Sequence, residues 1–433
     1  MKTNELEADS LKRVFGLPTL VIYGVGDILG AGIYAVIGKI AGLSGTLVWA
    51  SFLSAMIVAA FTALSYAELG SRFPQSGGVA YFVHKAFRTD WLSILVGWLM
   101  FCTCLVSMAT LSKAFAGYFN AFVPAIPAWL IILVLFSVLA FVNFRGMKES
   151  SALNIFCTSI EVSGLLIVIL VSTLFLSGGG AANPAAAANE PAIGWNAVVQ
   201  GAALALYAFI GFEDIVNVAE EVKNPERNVP RAILLSLAIA GAVYILVSWL
   251  AVEVLNPSEL AASGAPLLDV VRRAQPNFPQ VIFTIIALFA VLNTALLNFV
   301  TASRLLYGMS REGLLSAWLG KLHQRRATPY RTLLVILPIA IFLALSGTLQ
   351  LLAGTTATLI LAMFCLVNLS LLLIKRREVE TNGFQVPYIV PAIALLLNLV
   401  LFAFASGASH ILALVFVGIG MLLILIQKAF RRG

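Results

Sequence analysis

Four glycines and one aspartate lie close together inside the first long apolar run of the chain, residues 17–43. The cluster consists of Gly24, Gly26, Asp27, Gly30 and Gly32. If this run crosses a membrane, unwound backbone and a carboxylate are tolerated in it only where they are buried in protein or line a cavity. Backbone N–H groups freed at the start of a second half-helix, after Gly30, would suit an anionic group. The cluster therefore predicts a broken helix that binds a ligand.

A second interrupted segment lies in the second half of the chain. It combines an aromatic residue, Tyr207, with Gly211 and two adjacent acids, Glu213 and Asp214. Adjacent residues of a regular helix point about 100° apart, so both acids cannot face the same cavity. One acid is expected to face a ligand path and the other a neighbouring helix. Asp214 is as well placed to cap a helix as to take part in chemistry.

Asp27 and Glu161 are carboxylates in the middle of apolar runs, where an acid is costly and marks a functional site by default. Asp27 is predicted to recognise a cationic group or a metal ion, or to take up a proton. The alternative is a helix cap that accepts N–H groups freed by the glycines. Glu161 is predicted to cycle a proton or to bind a cation. The alternative is a neutral carboxyl group that only hydrogen-bonds a neighbouring hydroxyl.

Composition places these residues in a membrane. The chain has 433 residues, of which 61% are hydrophobic and 11% are charged, and its mean hydropathy is +0.98. Soluble domains carry about 25% charged residues, so the chain is predicted to be an integral membrane protein. The polar segment at residues 1–14 has no signal-peptide pattern. The four cysteines lie in apolar runs and lack the spacing of a disulfide framework or a metal site.

The predicted fold class is all-α integral membrane, with about twelve transmembrane helices of about 20 residues each. The approximate limits of the apolar segments are 17–43, 45–68, 91–118, 126–144, 152–177, 194–219, 232–255, 280–303, 332–347, 351–374, 387–406 and 408–427. The ninth and eleventh segments are the weakest, because the ninth is short and each contains a proline.

The basic residues orient these segments. With the N-terminus in the cytoplasm, only four of the 27 lysines and arginines fall on the outer side, namely Lys39, Lys113, Arg272 and Arg273. Because cytoplasmic loops carry the excess of lysine and arginine, both termini are predicted to be cytoplasmic. Lys39 and Lys113 are expected to snorkel to the membrane interface. The net charge of +7 follows from this distribution and does not indicate nucleic-acid binding.

The positions of the two interruptions predict an internal inverted repeat. Each interrupted segment is the first in a set of five spans, and a loop at residues 178–193 without basic residues separates the sets. An odd number of spans in each repeat turns the two halves in opposite directions. We predict a single transmembrane domain with repeats at residues 1–177 and 194–374 and two accessory helices at residues 387–427.

Four motifs resemble those of a known family and occur in the same order. They are Gly30-Ala31-Gly32-Ile33-Tyr34, Tyr66-Ala67-Glu68-Leu69-Gly70-Ser71-Arg72-Phe73-Pro74, Ala219-Glu220-Glu221-Val222-Lys223-Asn224-Pro225-Glu226-Arg227 and Ser303-Arg304-Leu305-Leu306-Tyr307-Gly308. On these motifs the chain resembles permeases of the amino acid–polyamine–organocation superfamily, and most of all its bacterial and cationic-type amino acid transporters. The resemblance implies a LeuT-like core of five plus five inverted spans, with helices one and six broken.

The resemblance also implies where a substrate binds. Backbone N–H groups around Gly30, Ala31, Gly32 and Ile33 would hold its carboxylate. Loosened carbonyl groups of Tyr207, Ala208 and Ile210 would accept hydrogen bonds from its amino group, and the ring of Tyr207 or Phe209 would close over it.

Two further residues of the predicted binding site come from the same comparison of motifs. Glu213 stands where the family keeps an acid and is a candidate for substrate binding and proton coupling. In the third span, Cys102-Thr103-Cys104 stands where many cationic-type relatives have Leu-Glu-Tyr. Thr103 is the predicted contact there, and the missing glutamate weakens the transfer of their substrate preference to this chain.

Charged pairs at the cytoplasmic ends of two spans predict gates. Glu68 and Arg72 stand one helical turn apart at the end of the second span, and Glu220 stands near Lys223 after the sixth. Each pair is expected to latch an inner gate as an ion pair rather than to bind substrate.

These features together predict secondary active transport of amino acids by alternating access, coupled to protons or to exchange. The proton would titrate Glu161 or Glu213, with Asp27 coupled to one of them. The acid-rich core favours a cationic amino acid or amine, since a buried carboxylate needs a proton or a positive partner. A neutral amino acid with protonated carboxylates is also consistent. A polyamine or organic-amine transporter or antiporter of the same fold is the alternative function.

Two other classes fit the sequence less well. A channel or transporter for inorganic cations would use the acids as a cation path, but no repeated filter segment is present. A membrane enzyme would need a nucleophile or metal constellation, and neither HExxH nor GxSxG occurs. We expect no catalytic residue, metal site or cofactor. The expected partners are an amino acid or amine substrate, protons and membrane lipid, with the chain a monomer or homodimer in a bacterial inner membrane.

Overall fold

The structure is a computed structural model that describes residues 13, 15–74, 78–145, 151–180, 194–311, 315–321, 323, 329–377 and 383–430. Within these ranges the regular secondary structure is helical, and one isolated bridge joins Phe15 to Val222. The loop at residues 178–193, predicted to lie on the outer side, falls mostly outside the described residues.

The helices follow the apolar segments of the sequence. They are α1 (Leu17–Ile28), α2 (Gly32–Ser44), α3 (Val48–Arg72), α4 (Gly78–Phe87), α5 (Asp90–Phe122), α6 (Ala128–Arg145), α7 (Ser151–Ser177), α8 (Trp195–Ala205), α9 (Pro225–Val254), α10 (Pro257–Ala262), α11 (Pro266–Ala274), α12 (Gln280–Arg311), α13 (Tyr330–Ser346), α14 (Leu349–Arg377), α15 (Ile389–Phe404) and α16 (Gly407–Phe430). Two 3₁₀ helices, Leu206–Phe209 and Phe212–Glu221, continue α8, and a shorter one, Gly45–Leu47, joins α2 to α3.

Eight helical stretches of the described chain are long and apolar enough to cross a membrane, and four further apolar helices are shorter. One of the short helices is α1, which ends early because the chain breaks before Gly30. Helices α2 and α3 count as one stretch, divided only by a turn at Gly45 with a φ of 54°. The chain is thus a multi-pass membrane protein. The number of twelve spans and the division into two inverted repeats stay predictions.

The first break lies where the glycine cluster predicted it. Helix α1 ends at Ile28 and α2 begins at Gly32, so the chain leaves the helix for three residues. The last carbonyl groups of a helix have no partner within it. Here the hydroxyl of Tyr244 in α9 donates a hydrogen bond to the carbonyl oxygen of Ile28. Helix α9 therefore stabilises the broken end of α1.

The second break lies at Gly211, between the two 3₁₀ helices. Gly211 has a φ of 130°, a conformation open to glycine and strained for other residues. The following 3₁₀ helix, Phe212–Glu221, is 10 residues long, whereas such helices rarely exceed three or four residues and mark strain or hinges when they do. This half of the sixth segment is thus irregular over its whole length.

An aromatic cluster holds the irregular 3₁₀ helix in place. The ring of Phe212 contacts the rings of Tyr66 in α3 and Phe364 in α14, with centroid separations of 5.7 and 5.3 Å. Buried aromatic pairs at this spacing are stabilising beyond the area they bury. Contacts with α3 and α14 therefore fix the position of Gly211 and of the acids that follow it.

Candidate functional site

The two broken helices contact each other at both breaks. A Cβ atom added to Gly211 would lie 2.8 Å from the carbonyl carbon of Asp27, and one added to Gly32 would lie 2.7 Å from the Cα of Ala208. Side-chain carbons do not approach backbone atoms so closely, so both contacts require glycine. The glycines thus bring Asp27 and the sixth segment together.

Replacing Gly211 with alanine is expected to lower thermal stability markedly. The new methyl group would meet the backbone of Asp27, and the positive φ alone costs roughly 1–3 kcal/mol. The matched control is Gly97→Ala in α5, where an added Cβ meets no atom within 4 Å. The measurement is the apparent melting temperature in detergent. Equal melting temperatures for the two variants would contradict the tight crossing.

A cavity of about 100 Å³ lies at this crossing. The predicted substrate residues that line it are Asp27, Gly30, Ala31, Gly32, Thr103, Tyr207, Ala208, Ile210 and Glu213. Ile33 and Phe209 are fully buried and are not among the lining residues. Phe209 instead packs against Phe52 and Tyr244. Residues two apart on a 3₁₀ helix point about 120° apart, so Tyr207 faces the cavity while Phe209 faces the packed side.

Three long helices complete the cavity wall, and Thr103 is the one residue of these helices that was predicted to contact the substrate. The additional lining residues include Met100, Cys104, Ser107 and Leu111 of α5, Thr294, Leu297, Asn298 and Thr301 of α12, and Thr356, Ile360 and Met363 of α14. The spacing of Thr294, Asn298 and Thr301 puts these polar side chains on one helical face, which is a sequence signal for that wall. The apolar residues of α5 and α14 carry no comparable signal.

Side-chain hydroxyl groups already contact two residues of the predicted substrate site, Ala31 and Tyr207. The N–H of Ala31 donates to Oγ1 of Thr294 at 3.1 Å, and the Tyr207 hydroxyl lies 3.2 Å from Oγ of Ser107. The N–H group expected to hold a carboxylate therefore already faces an oxygen. A ligand carboxylate at this place would replace the contact with Thr294.

The acids at the crossing take distinct positions. The carboxyl groups of Asp27 and Asp214 are close enough to share a hydrogen bond. Oδ2 of Asp27 is buried and has no hydrogen-bond partner among the described residues. Asp214 accepts from Nδ2 of Asn217 at 2.9 Å, and Glu213 accepts the N–H of Gly211 at 2.9 Å. Both Glu213 and Asp214 line the cavity, so the prediction that only one of them would face it is wrong, because the segment is an irregular 3₁₀ helix and not a regular α-helix. Asp214 faces Asp27, while the carboxyl group of Glu213 stabilises the break at Gly211.

Glu161 lies apart from the cavity lining but is connected to it through α12. Its side chain is buried in α7 and accepts a hydrogen bond from Nδ2 of Asn293 at 2.8 Å. Asn293 directly precedes Thr294, whose hydroxyl holds the N–H of Ala31. No basic side chain forms an ion pair with Glu161 in the described part of the chain. A change in the protonation of Glu161 would thus act on Asn293, which directly precedes the residue that contacts the N–H of Ala31.

Glu68 and Arg72 form an ion pair that extends to a third charge. Oε1 of Glu68 lies 2.6 Å from Nη2 of Arg72 and 2.7 Å from Nζ of Lys375 in α14. Oε2 of Glu68 accepts the N–H of Val386 at 2.8 Å. All three charged side chains are at most 7% exposed. This buried cluster joins α3 to the end of α14 and to the segment before α15.

The second predicted gate pair lies near the chain segment that leads into α1. The side chain of Lys223 is exposed, and its backbone N–H donates to the carbonyl oxygen of Phe15 at 2.9 Å. The N–H of Phe15 in turn donates to the carbonyl oxygen of Glu221 at 3.0 Å. The segment around Glu220 is thus held to the start of α1 by backbone, and the ion pair of Glu220 with Lys223 stays a prediction.

Comparison with known proteins identifies the family. The family model described as "Amino acid permease" matches residues 15–425, which is nearly the whole chain. The chain belongs to this amino acid permease family. The resemblance drawn from its motifs is therefore confirmed. Because the family consists of transporters, the permease is a transporter and not an enzyme.

Individual relatives cover most of the permease. The branched-chain amino acid permease BcaP of Bacillus subtilis (strain 168) is 27% identical over 96% of this chain and 92% of its own length. An uncharacterized transporter of Mycobacterium tuberculosis (strain ATCC 25618 / H37Rv) is 31% identical over 94% and 89%. The cationic amino acid transporter 9, chloroplastic, of Arabidopsis thaliana is 31% identical over 73% and 58%. The relatives thus include proteins named for branched-chain and for cationic amino acids.

Proposed function

We propose that the permease is a secondary active transporter that carries amino acids by alternating access, driven by protons or by exchange. The observation that carries the proposal is the crossing of two broken helices around a cavity lined both by the unwound segment from Gly30 to Gly32 and by the acids Asp27, Glu213 and Asp214. A zwitterion needs both, and broken-helix ends supply them without further charged side chains. The cavity of about 100 Å³ has room for several water molecules or for a compact ligand.

The coupling we propose rests on the pair Asp27 and Asp214. Two carboxyl groups in hydrogen-bond contact cannot both be ionised at little cost, so the pair holds one proton between them. The shared proton would link α1 to the second 3₁₀ helix and would be released when the crossing opens. Glu161 and Glu213 are the other candidates for the coupling proton.

Two substrate classes fit the cavity. Carboxylates at the crossing would bind the cationic group of arginine, lysine or an amine, as the acid-rich sequence predicted. If these carboxylates carry the coupling protons instead, the apolar residues Leu111, Leu297 and Ile360 would suit a neutral aliphatic side chain. The names of the relatives support either class.

The orientation and assembly we propose follow from the sequence. The distribution of lysine and arginine supports cytoplasmic N- and C-termini. The apolar segments and the positions of the two interruptions support twelve spans with a five-plus-five inverted repeat. The similarity to Bacillus and Mycobacterium transporters supports a bacterial inner membrane. The permease would act as a monomer or homodimer.

Uptake into proteoliposomes tests the proposed function. The panel consists of labelled arginine, lysine, putrescine, alanine and leucine. Uptake of each is measured with and without an inwardly directed proton gradient. We expect saturable uptake of at least one amino acid, with accumulation that needs the gradient or a counter-substrate. Saturable flux of putrescine without flux of any amino acid would favour the polyamine alternative. Absence of saturable flux for the whole panel would contradict the proposal.

Glu161→Gln separates coupling from binding in the same assay. If Glu161 carries the proton, gradient-driven accumulation is expected to fall about tenfold or more while exchange of internal for external substrate continues, because glutamine still accepts from Asn293 but does not titrate. The matched control is Glu226→Gln, since Glu226 is exposed at the start of α9. Unchanged accumulation in Glu161→Gln would exclude Glu161 as the proton carrier.

A further inference from the structure

The buried charges of Glu68, Arg72 and Lys375 form the Glu68 cluster. A second cavity lies at the opposite end of the bundle. Its volume is about 310 Å³, and it is enclosed by α2, α5, α6 and the segment that joins α10 to α11. Helices α2 and α5 line both cavities. Lys39 lies seven residues beyond Gly32 on α2, and Lys113 lies two residues beyond Leu111 on α5. At 1.5 Å of rise per residue, Lys39 is about 10 Å and Lys113 about 3 Å beyond the last lining residue of the central cavity on the same helix. We call the second cavity the outer vestibule.

Among the described residues that line the outer vestibule, the charged ones are Lys39 and Lys113. Nζ of Lys39 donates to the carbonyl oxygen of Ala261 at 2.5 Å, which leaves two of its three donors for a ligand. Lys113 is half-buried and forms no hydrogen bond or ion pair with the part of the chain that the structure describes. The expectation that both lysines reach the membrane interface stays a prediction, and both residues also line the vestibule.

Asp269, the acid in the helix that follows the vestibule wall, already has two partners. Asp269 in α11 accepts from Oγ of Ser263 at 2.6 Å and lies 3.5 Å from Nη1 of Arg272. Among the described residues that line the vestibule, the two lysines are therefore not balanced by any carboxylate. Unpaired positive charge in a partly enclosed cavity concentrates small anions.

The wall of the vestibule is a tightly packed structure. A Cβ atom on Gly38 would collide with the carbonyl oxygen of Leu260, and one on Gly117 would collide with that of Gly264. These glycines let the segment around α10 pack directly on α2 and α5. In the same wall Oδ1 of Asn120 is buried and lacks a hydrogen-bond partner among the described residues. The vestibule thus offers ammonium donors together with one unused acceptor.

We propose that the outer vestibule binds the carboxylate group of the incoming amino acid through Lys39 and Lys113 before the amino acid reaches the central cavity. The inference rests on the proposed function, because it assigns the class of ligand to the entrance of the same pathway. An amino acid brings a carboxylate for the lysines and an ammonium group for an acceptor such as Asn120. A polyamine brings positive charge alone and is repelled. The vestibule therefore selects for molecules that carry a carboxylate.

Uptake kinetics of Lys113→Gln and Lys113→Met test the proposal. We expect the KM for the transported amino acid to rise about three- to tenfold with little change in maximal rate, since the central cavity is intact. Raising the ionic strength should increase KM in the unmodified permease and have less effect in the variants. Lys113→Arg keeps the charge and should retain most of the affinity. The control on the same side of the molecule is Arg273→Gln, which removes an exposed charge of α11 outside the vestibule.

Three outcomes would overturn the vestibule site without affecting the proposed transport. The first is a KM for both Lys113 variants that equals the KM of the unmodified permease. The second is an equal rise in KM in all three variants, which would mean a general surface potential. The third is a KM that differs only when chloride replaces gluconate at constant ionic strength, which would mean an inorganic-anion site. If the unmodified permease shows no saturable amino acid flux, the proposed function itself has failed.

Discussion

Asp27→Asn and Asp214→Asn should each abolish proton-driven accumulation of substrate while leaving exchange in place. Each asparagine removes one of the two carboxyl groups that lie close enough to share a hydrogen bond at the crossing of the broken helices. The remaining carboxyl group keeps a neutral hydrogen-bond partner, so the crossing still forms, but no proton is shared across it. We expect accumulation of labelled substrate under an inwardly directed proton gradient to fall at least about tenfold.

The double variant provides the decisive comparison for the pair. If Asp27 and Asp214 act as one unit, combining the two substitutions should do no more than either alone, because coupled groups are strongly non-additive. Asp90→Asn is the control, since the Asp90 side chain is 87% exposed at the start of α5. Loss of exchange as well as accumulation in Asp27→Asn would assign Asp27 to substrate binding. A loss confined to arginine and lysine would favour the cationic class.

Glu68→Gln should be the most destabilising single substitution outside the central cavity. Glu68 accepts from Arg72, Lys375 and the N–H of Val386, and it is fully buried. Removing its charge leaves two cations close together without a counter-ion among the described residues. Breaking a buried ion pair from one side costs about 3–5 kcal/mol. The expected result is a large drop in the apparent melting temperature in detergent.

The three charges of the Glu68 cluster predict an asymmetry that tests this explanation. Lys375→Met leaves the Glu68–Arg72 pair intact, so it should be much milder than Glu68→Gln. Adding Lys375→Met to Glu68→Gln should recover part of the lost stability, because one of the two stranded cations is gone. Glu226→Gln, on an exposed side chain, should change little. Equal effects of Glu68→Gln and Lys375→Met would contradict the charge argument.

The buried cluster also bears on the proposed gate. Glu68 and Arg72 were predicted from the sequence as a local pair, one helical turn apart. The structure adds Lys375, 303 residues beyond Arg72, together with the backbone of Val386. Any movement of α3 relative to α14 must therefore break buried charge contacts. A gate at this place would open slowly unless the cluster moves as one body.

The sequence by itself determined the class of the protein, the two breaks and the family. Composition indicates a membrane chain because the bilayer excludes charge, and that property needs no contacts between distant residues. Gly211 is readable as a break because its backbone conformation is a property of the residue type. The motifs around Gly30 and Glu220 are contiguous in sequence, so they indicate the family directly.

Only the tertiary structure decided which contacts the neighbouring acids make. The sequence allowed either Glu213 or Asp214 to face a partner, since that choice depends on how an irregular 3₁₀ helix is rotated. Packing of Phe212 between α3 and α14 sets this rotation and turns Asp214 toward Asp27. The placing of Lys39 and Lys113 in one vestibule likewise depends on how α2 and α5 pack. Such rotations and approaches arise from contacts between residues far apart in the chain, which no local pattern records.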